Sequence, residues 1–131
     1  VMSTLGTSSI ALLHTCHPDL QRLILKVSEK MDIKVICGAR SKDEQETAFL
    51  EGRSKVQFPN SMHNTTPSRA VDIVPYPVDW DDVRRFYLMG GYVLATAEAL
   101  GIRVRWGGDW NGNLDIKDQN FHDLPHIELV N

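Results

Sequence analysis

Ser61-Met62-His63-Asn64-Thr65-Thr66-Pro67-Ser68-Arg69-Ala70-Val71-Asp72-Ile73-Val74-Pro75 is the stretch on which the reading of this chain turns. Its second half, Ala70 to Val74, is apolar and rich in β-branched residues. Pro75-Tyr76-Pro77 closes it, because proline cannot continue a ladder, so the segment reads as a buried strand. Asp72 stands inside that strand. A carboxylate flanked by Val71, Ile73 and Val74 is costly to bury unpaired, and its candidate partners are a cation or His63. A second cluster follows near the C-terminus, Phe121-His122-Asp123-Leu124-Pro125-His126-Ile127-Glu128-Leu129. Two separated His/Asp clusters in 131 residues point to one metal site assembled from both. The plainer alternative for the first stretch is a surface histidine beside a salt-bridged aspartate.

In the C-terminal cluster, a strand beginning at His126 puts His126 and Glu128 on one face by its period of two. Ile127 and Leu129 then face the core. Pro125 fixes its own φ and biases Leu124 to an extended form, bending the chain before the strand. Without that bend Asp123 and His126 would point to opposite faces. His122, out of register with His126, reads as exposed or as a neighbour of the site.

Outward from these clusters the chain reads as alternating helices and strands. Residues 3–13 are small and mixed and read as a surface lead-in, with Met2 as the expected natural start. His17-Pro18-Asp19 opens a helix, with Pro18 in the first helical position and Asp19 in the first turn. Leu20, Leu23, Ile24, Val27 and Met31 give it one buried stripe. His14 and His17 read as surface or capping residues. Ile33 to Cys37 reads as a strand ending at Gly38. Ser41-Lys42-Asp43-Glu44 has capping-box form, so a helix runs from about Lys42 to Glu51, with Gly52 as its stop. Arg40 lies between that strand and that helix. Asp79 is expected to cap a long helix from Trp80 to Leu100, with Val83, Phe86, Gly90, Val93, Ala97 and Leu100 as its core stripe. Gly90-Gly91 costs roughly 1 kcal/mol per glycine against alanine, which a close approach of helix to sheet would explain. Ile102 to Trp106 alternates as a half-exposed strand.

Composition narrows the function. The chain is 42% hydrophobic with a net charge of −3, enough apolar residues for a core and no basic field for nucleic acid. No apolar run approaches a membrane span, and Ile10 to Leu13 is too short for the core of a signal peptide. Cys16 and Cys37 are widely spaced and read as free structural thiols. The stretch from Gly107 to Asp118 places oxygen side chains at Asp109, Asn111, Asn113 and Asp115, like a calcium loop. Leu114 and Asn120 stand where an EF-hand needs glycine and glutamate, so a looser, weak cation site or a hydrated loop is expected.

Combined, His63, Asp72 and His126 offer two imidazoles and one carboxylate, a set that suits zinc and leaves a position open for water. Asp123, not itself a ligand, is placed to move the water's proton. Ser61-x-His63 with Ala70-x-Asp72, the run Trp106-Gly107-Gly108-Asp109-Trp110, and Asp123-Leu124-Pro125-His126-Ile127-Glu128-Leu129 together resemble the zinc D-alanyl-D-alanine carboxypeptidase-like peptidases. Within them the chain looks most like the single-domain endolysins of tailed phages, L-alanyl-D-glutamate endopeptidases that cut peptidoglycan stem peptides. The resemblance spans His17 to Leu129. It implies an α+β fold, a small antiparallel sheet carrying the zinc with helices packed against it, and one catalytic domain over residues 1–131. It implies one zinc on His63, Asp72 and His126, with Asp123 as general base. Arg40 matches the arginine that polarises the scissile carbonyl, Ser61 matches a hydroxyl that holds substrate, and Gln45, which follows Arg40, is expected to bind substrate too. Arg69, in the loop between ligands, is placed to meet the D-glutamate carboxylate.

Two rival readings accompany this one: a D-Ala-D-Ala carboxypeptidase or dipeptidase with the same catalytic residues, and a non-catalytic zinc-bearing binding module, since hedgehog signalling domains share the fold. Asp123 and Arg40 argue against the second, because a structural zinc needs neither a base nor an oxyanion partner. The expected protein is a monomer, made in the host cytoplasm without a cleavable signal. It would reach periplasmic peptidoglycan once another protein has permeabilised the membrane.

Overall fold

Alternation decides the sheet. In β1 (Ile33–Cys37) Ile33 and Val35 are buried while Lys34 and Ile36 are exposed. β2 (Ala70–Pro75), β3 (Val104–Gly107) and β4 (Asp123–Leu129) complete a four-stranded sheet of order β1-β2-β4-β3, antiparallel at every pairing. The computed structural model describes residues 5–131, and the expected start at Met2 lies outside them. The α+β architecture matches the sequence reading.

The helices cover the sheet's apolar side. α2 (Pro18–Ser28) begins at His17, whose Nδ1 accepts the Asp19 N–H at 3.0 Å, the capping role expected of it. Its Leu20, Leu23, Ile24 and Val27 join Phe86, Met89, Val93 and Ala97 of α4 (Val83–Leu100) and Val71, Ile73, Ile127 and Leu129 of the sheet in one core. Each of these buried side chains other than Ala97 contributes roughly 1.5–3 kcal/mol. α3 (Lys42–Leu50) carries the capping box at Ser41 and Glu44 in both directions, and Gly52 follows it with φ +78°.

Four elements differ from expectation, the first being β3, which runs Val104–Gly107 where Ile102 to Trp106 was expected. Residues 3–13 were read as a lead-in, yet Thr7–Leu13 forms α1. It packs on β1, with Leu13 buried and the Ser9 hydroxyl accepting the Val35 N–H at 3.0 Å. The long helix starts at Val83 and not at Trp80. Asp79 instead closes a turn, its carboxylate accepting the Asp81 N–H and its carbonyl the Asp82 N–H, which leaves Trp80 outside the helix. Val83 is consequently exposed. β4 begins at Asp123, three residues before the expected His126.

Gly90 shows why α4 tolerates a glycine: a Cβ there would stand 2.3 Å from the Trp106 indole on β3. Gly91 has nothing within 4 Å of that position, and no packing reason attaches to it. Among the described residues no helix is long and apolar enough to cross a membrane.

Candidate metal centre

The sheet register brings two of the predicted ligands together before any side chain is considered. Asp72 on β2 is directly opposite His126 on β4, and opposite Cys37 on β1. Val71 and Ile73 point into the core, so Asp72 points to the other face. His63 comes to the same face from the short 3-10 turn Met62–Asn64. That turn is built locally: the Ser61 hydroxyl accepts the His63 N–H at 3.1 Å, and the Asn64 side chain accepts the Ser61 N–H at 3.0 Å.

The proton positions follow from each ring's outer partner. His63 Nδ1 lies 2.8 Å from the Gly38 carbonyl, which can only accept, so Nδ1 carries the proton. Among the described residues His63 Nε2, which is buried, finds no hydrogen bond; it lies 3.3 Å from Asp72 Oδ1, an ion-pair approach lacking hydrogen-bond geometry. His126 Nε2 donates to Glu128 Oε1 at 2.8 Å, which turns its Nδ1 toward Asp72 Oδ1 at 3.3 Å. The two rings meet edge to face with centroids 5.1 Å apart. Two ring nitrogens therefore converge on one carboxylate oxygen.

Burial resists charge on each of these groups, but their mutual attraction outweighs it. Asp72 and Cys37 push His63 up to about 10. Asp72 and Glu128 push His126 up to about 9. Against the same burial, His126 and His63 hold Asp72 well below the usual carboxylate range. A dication satisfies the same electrostatic demand as two protons. Cys37 offers a second, overlapping set: Cys37, His63 and Asp72 have ligand atoms within 4.8 Å of one another. Its sulfur, however, lies 3.7 Å from His63 Nδ1, the nitrogen already engaged by Gly38.

Around this centre stand the expected helpers. Asp123 Oδ2 is 4.0 Å from His126 Nδ1, on the same face, so the bend at Pro125 acts as the sequence suggested. The β3–β4 register shifts there, with Trp106 opposite Ile127 but Gly107 opposite Asp123. A Cβ on Gly107 would come within 1.9 Å of the Asp123 carbonyl, so only glycine fits beneath Asp123. Burial first, then the charge of Asp72, lifts Asp123 above the usual carboxylate range. Arg40 is pinned by its own N–H on the His63 carbonyl at 2.7 Å, and its guanidinium lies 3.6 Å from Asp72 Oδ2.

Two expected substrate contacts take other roles. Gln45 is fully buried; its Oε1 accepts from Arg40 at 3.0 Å and its amide donates to Ser54 and the Val56 carbonyl. It orients Arg40 and does not line either cavity at the centre. Arg69 likewise lines neither, because its guanidinium bonds Asn131 Oδ1 at 2.8 Å. Ser61 does reach the smaller cavity. Exposed His122 approaches the Tyr87 hydroxyl at 3.4 Å.

Comparison with known proteins decides the family. The family described as phage L-alanyl-D-glutamate peptidase matches residues 2–130. The chain belongs to the phage L-alanyl-D-glutamate peptidase family. It is similar to the L-alanyl-D-glutamate peptidase of Escherichia phage T5, 29% identical over 95% of this chain and 96% of that protein. Its fold is similar to the crystal structure of the Serratia marcescens L-Ala D-Glu endopeptidase ChiX, with a TM-score of 0.75 and 28% identity over 98% of this chain and 91% of that one.

For a peptidase of this family, the residues that sequence reasoning left unassigned are Glu128, Gly38, Arg53, Lys55 and Trp110. Glu128 shares the His126 face by simple alternation, so its partnership was within reach. The Gly38 carbonyl and the cavity-lining Arg53 and Lys55 arrive through tertiary packing and leave no local signal, whereas Trp110 stands in the Trp106–Trp110 run that carried the resemblance.

Proposed function

We propose that this chain is a zinc-dependent endopeptidase that hydrolyses the L-alanyl-D-glutamate bond of peptidoglycan stem peptides during phage lysis. The observation that carries the metal is His63 Nε2, a buried nitrogen with no hydrogen bond beside a carboxylate. His63 Nε2, Asp72 Oδ1 and His126 Nδ1 would hold the ion, each braced from outside by Gly38, Arg40 and Glu128 respectively. Zinc with three protein ligands supplies a Lewis acid that polarises a carbonyl and acidifies water.

The chain's own groups then divide the remaining work. Asp123 takes the proton of the attacking water and returns it to the leaving amine. Arg40, already bonded to Gln45 through one nitrogen, presents its remaining N–H groups to the carbonyl oxygen as charge develops there. Ser61 borders the smaller cavity and helps seat the peptide. Arg53 and Lys55 line that cavity too, and they replace Arg69 as the cations for the substrate's carboxylates. The same reading makes residues 1–131 one catalytic unit acting as a monomer on the wall after another protein opens the membrane.

Release of soluble peptide from purified cell wall tests this function, and wall binding without release would leave the non-catalytic module. Zinc analysis of alanine variants tests the ligand set. Loss of stoichiometric zinc is expected for His63, Asp72 and His126 and not for Cys37; the converse for His126 and Cys37 would assign the other trio.

A second, weaker cation in the Asp109–Asp118 loop also belongs to this reading. Asp109 is 2% exposed, its Oδ1 has no hydrogen-bond partner among the described residues, and its Oδ2 accepts the Leu114 N–H at 2.8 Å. Calcium should therefore raise the Tm of the wild type more than that of Asp109→Asn. An equal rise would remove the site.

A further inference from the structure

The cleft at the metal centre has two unequal lobes, and their linings differ in chemistry. The smaller, about 430 Å³, carries Arg53, Lys55, Ser54 and Asn60 beside the site. The larger, about 790 Å³, has the volume of a site for a drug-sized ligand. Arg40, Asp123, Arg53 and Phe121 border both. Away from these shared residues the larger lobe is walled by Ile36, Trp80, Phe86 and Pro125, with the carboxylates of Asp43 and Glu44.

Trp80 is the unusual member. The other two tryptophans donate their indole N–H to backbone carbonyls, Trp106 to Leu124 and Trp110 to Phe121, both at 2.7 Å. Among the described residues the Trp80 indole N–H has no such partner, and Trp80 is 56% exposed. One face of its ring stacks on Phe86, with centroids 5.4 Å apart and planes 20° apart, which leaves the opposite face open. Tyr76 and Val78 are exposed on the same connection into α4. Folding has left a large aromatic surface at the rim of a catalytic cleft, supported from behind.

The proposed substrate has two halves as unlike as the two lobes. On the D-glutamate side it carries carboxylates. On the other side the L-alanine nitrogen is acylated by the lactyl group of muramic acid, so the chain continues into an uncharged, N-acetylated glycan. The anionic half matches Lys55, which lines the smaller lobe alone, with Arg53 at the junction of the two. Asp43 and Glu44 repel that half, whereas carboxylates accept hydrogen bonds from sugar hydroxyls and indoles offer a broad amphipathic platform to pyranose faces.

We propose that Trp80, with Asp43 in the same lobe, forms a glycan subsite that docks the N-acetylated sugar joined to the L-alanine. This rests on the peptidoglycan reading above. It orients the substrate, glycan toward α3 and the loop before α4, anionic peptide toward Arg53 and Lys55.

The test compares the disaccharide-linked tetrapeptide with the free tetrapeptide of identical sequence. For the wild type, kcat/KM should favour the glycan-bearing substrate, and Trp80→Ala should shrink that ratio roughly tenfold, with Trp80→Phe intermediate. A ratio unmoved in Trp80→Ala, or a wild-type ratio of one, overturns the subsite while leaving the proposed function intact. A second measurement is independent of turnover: titration of the N-acetylated disaccharide should shift the Trp80 indole N–H resonance and leave that of Trp106 in place. An unmoved Trp80 resonance overturns the subsite even if neither peptide is cut, an outcome that would separately overturn the proposed function.

Discussion

His63 commits its Nδ1 proton to the Gly38 carbonyl, and His126 commits its Nε2 proton to Glu128. Those two bonds fix which nitrogen of each ring faces Asp72, where a metal would take the place of a proton. Asp123 stands beside them without being needed as a ligand. Asp123→Asn should therefore keep its zinc and its fold yet lose about 10²–10⁴-fold in turnover, because an amide cannot accept the proton. Steady-state kinetics beside metal analysis checks this, and near-normal turnover would remove Asp123 as the base. The residues His63, Asp72, Asp123 and His126 were legible in the sequence because each sits in a pattern with a reason: a carboxylate inside an apolar strand, a histidine on an alternating face, a proline that bends the chain between base and ligand. Gln45 and Arg69 were less legible. Their side chains are claimed by Arg40, Ser54 and Asn131, partners that sequence neighbours do not announce.

Ends with strong signals were read correctly, the start of α3 from its capping box and the close of α4 from Gly101 in the left-handed region at φ 71°, whereas the start of α4 was misplaced. α1 was missed because Thr7, Ser8 and Ser9 look like surface chain; what holds it is Leu13 in the core and Ser9 on the β1 backbone. The adjacent glycines of α4 give a test at this scale. Gly90→Ala drives a Cβ into the Trp106 indole and should destabilise by about 1–3 kcal/mol, the usual range for overpacking. Gly91→Ala meets open space and should stabilise by roughly 0.5–1 kcal/mol through helix propensity. Thermal or urea denaturation of the pair should show opposite signs, and the same sign for both would contradict the packing described for α4 on β3.

At the scale of the whole molecule, the sheet places two His/Asp clusters from distant parts of the chain around one point, and their charges are mutually dependent. Although burial resists charge on both rings, Asp72 raises His63 and His126 above the ordinary imidazole range, which favours protonated rings in the metal-free protein. A cation must displace those protons, so apparent zinc affinity should rise with pH until the rings have lost them and fall as pH drops. Calorimetry at pH 7 in buffers of different ionisation heat should find about two protons released per zinc. Zinc binding without proton release would mean that the rings are neutral beforehand. The most direct measurement of the central claim is the mass of the fragments released from a defined disaccharide-pentapeptide by the zinc-loaded protein. The account predicts a tetrapeptide that begins with D-glutamate and retains both terminal D-alanines, together with the disaccharide still bearing L-alanine. Free D-alanine with the L-alanyl bond uncut would contradict it and make the protein a carboxypeptidase.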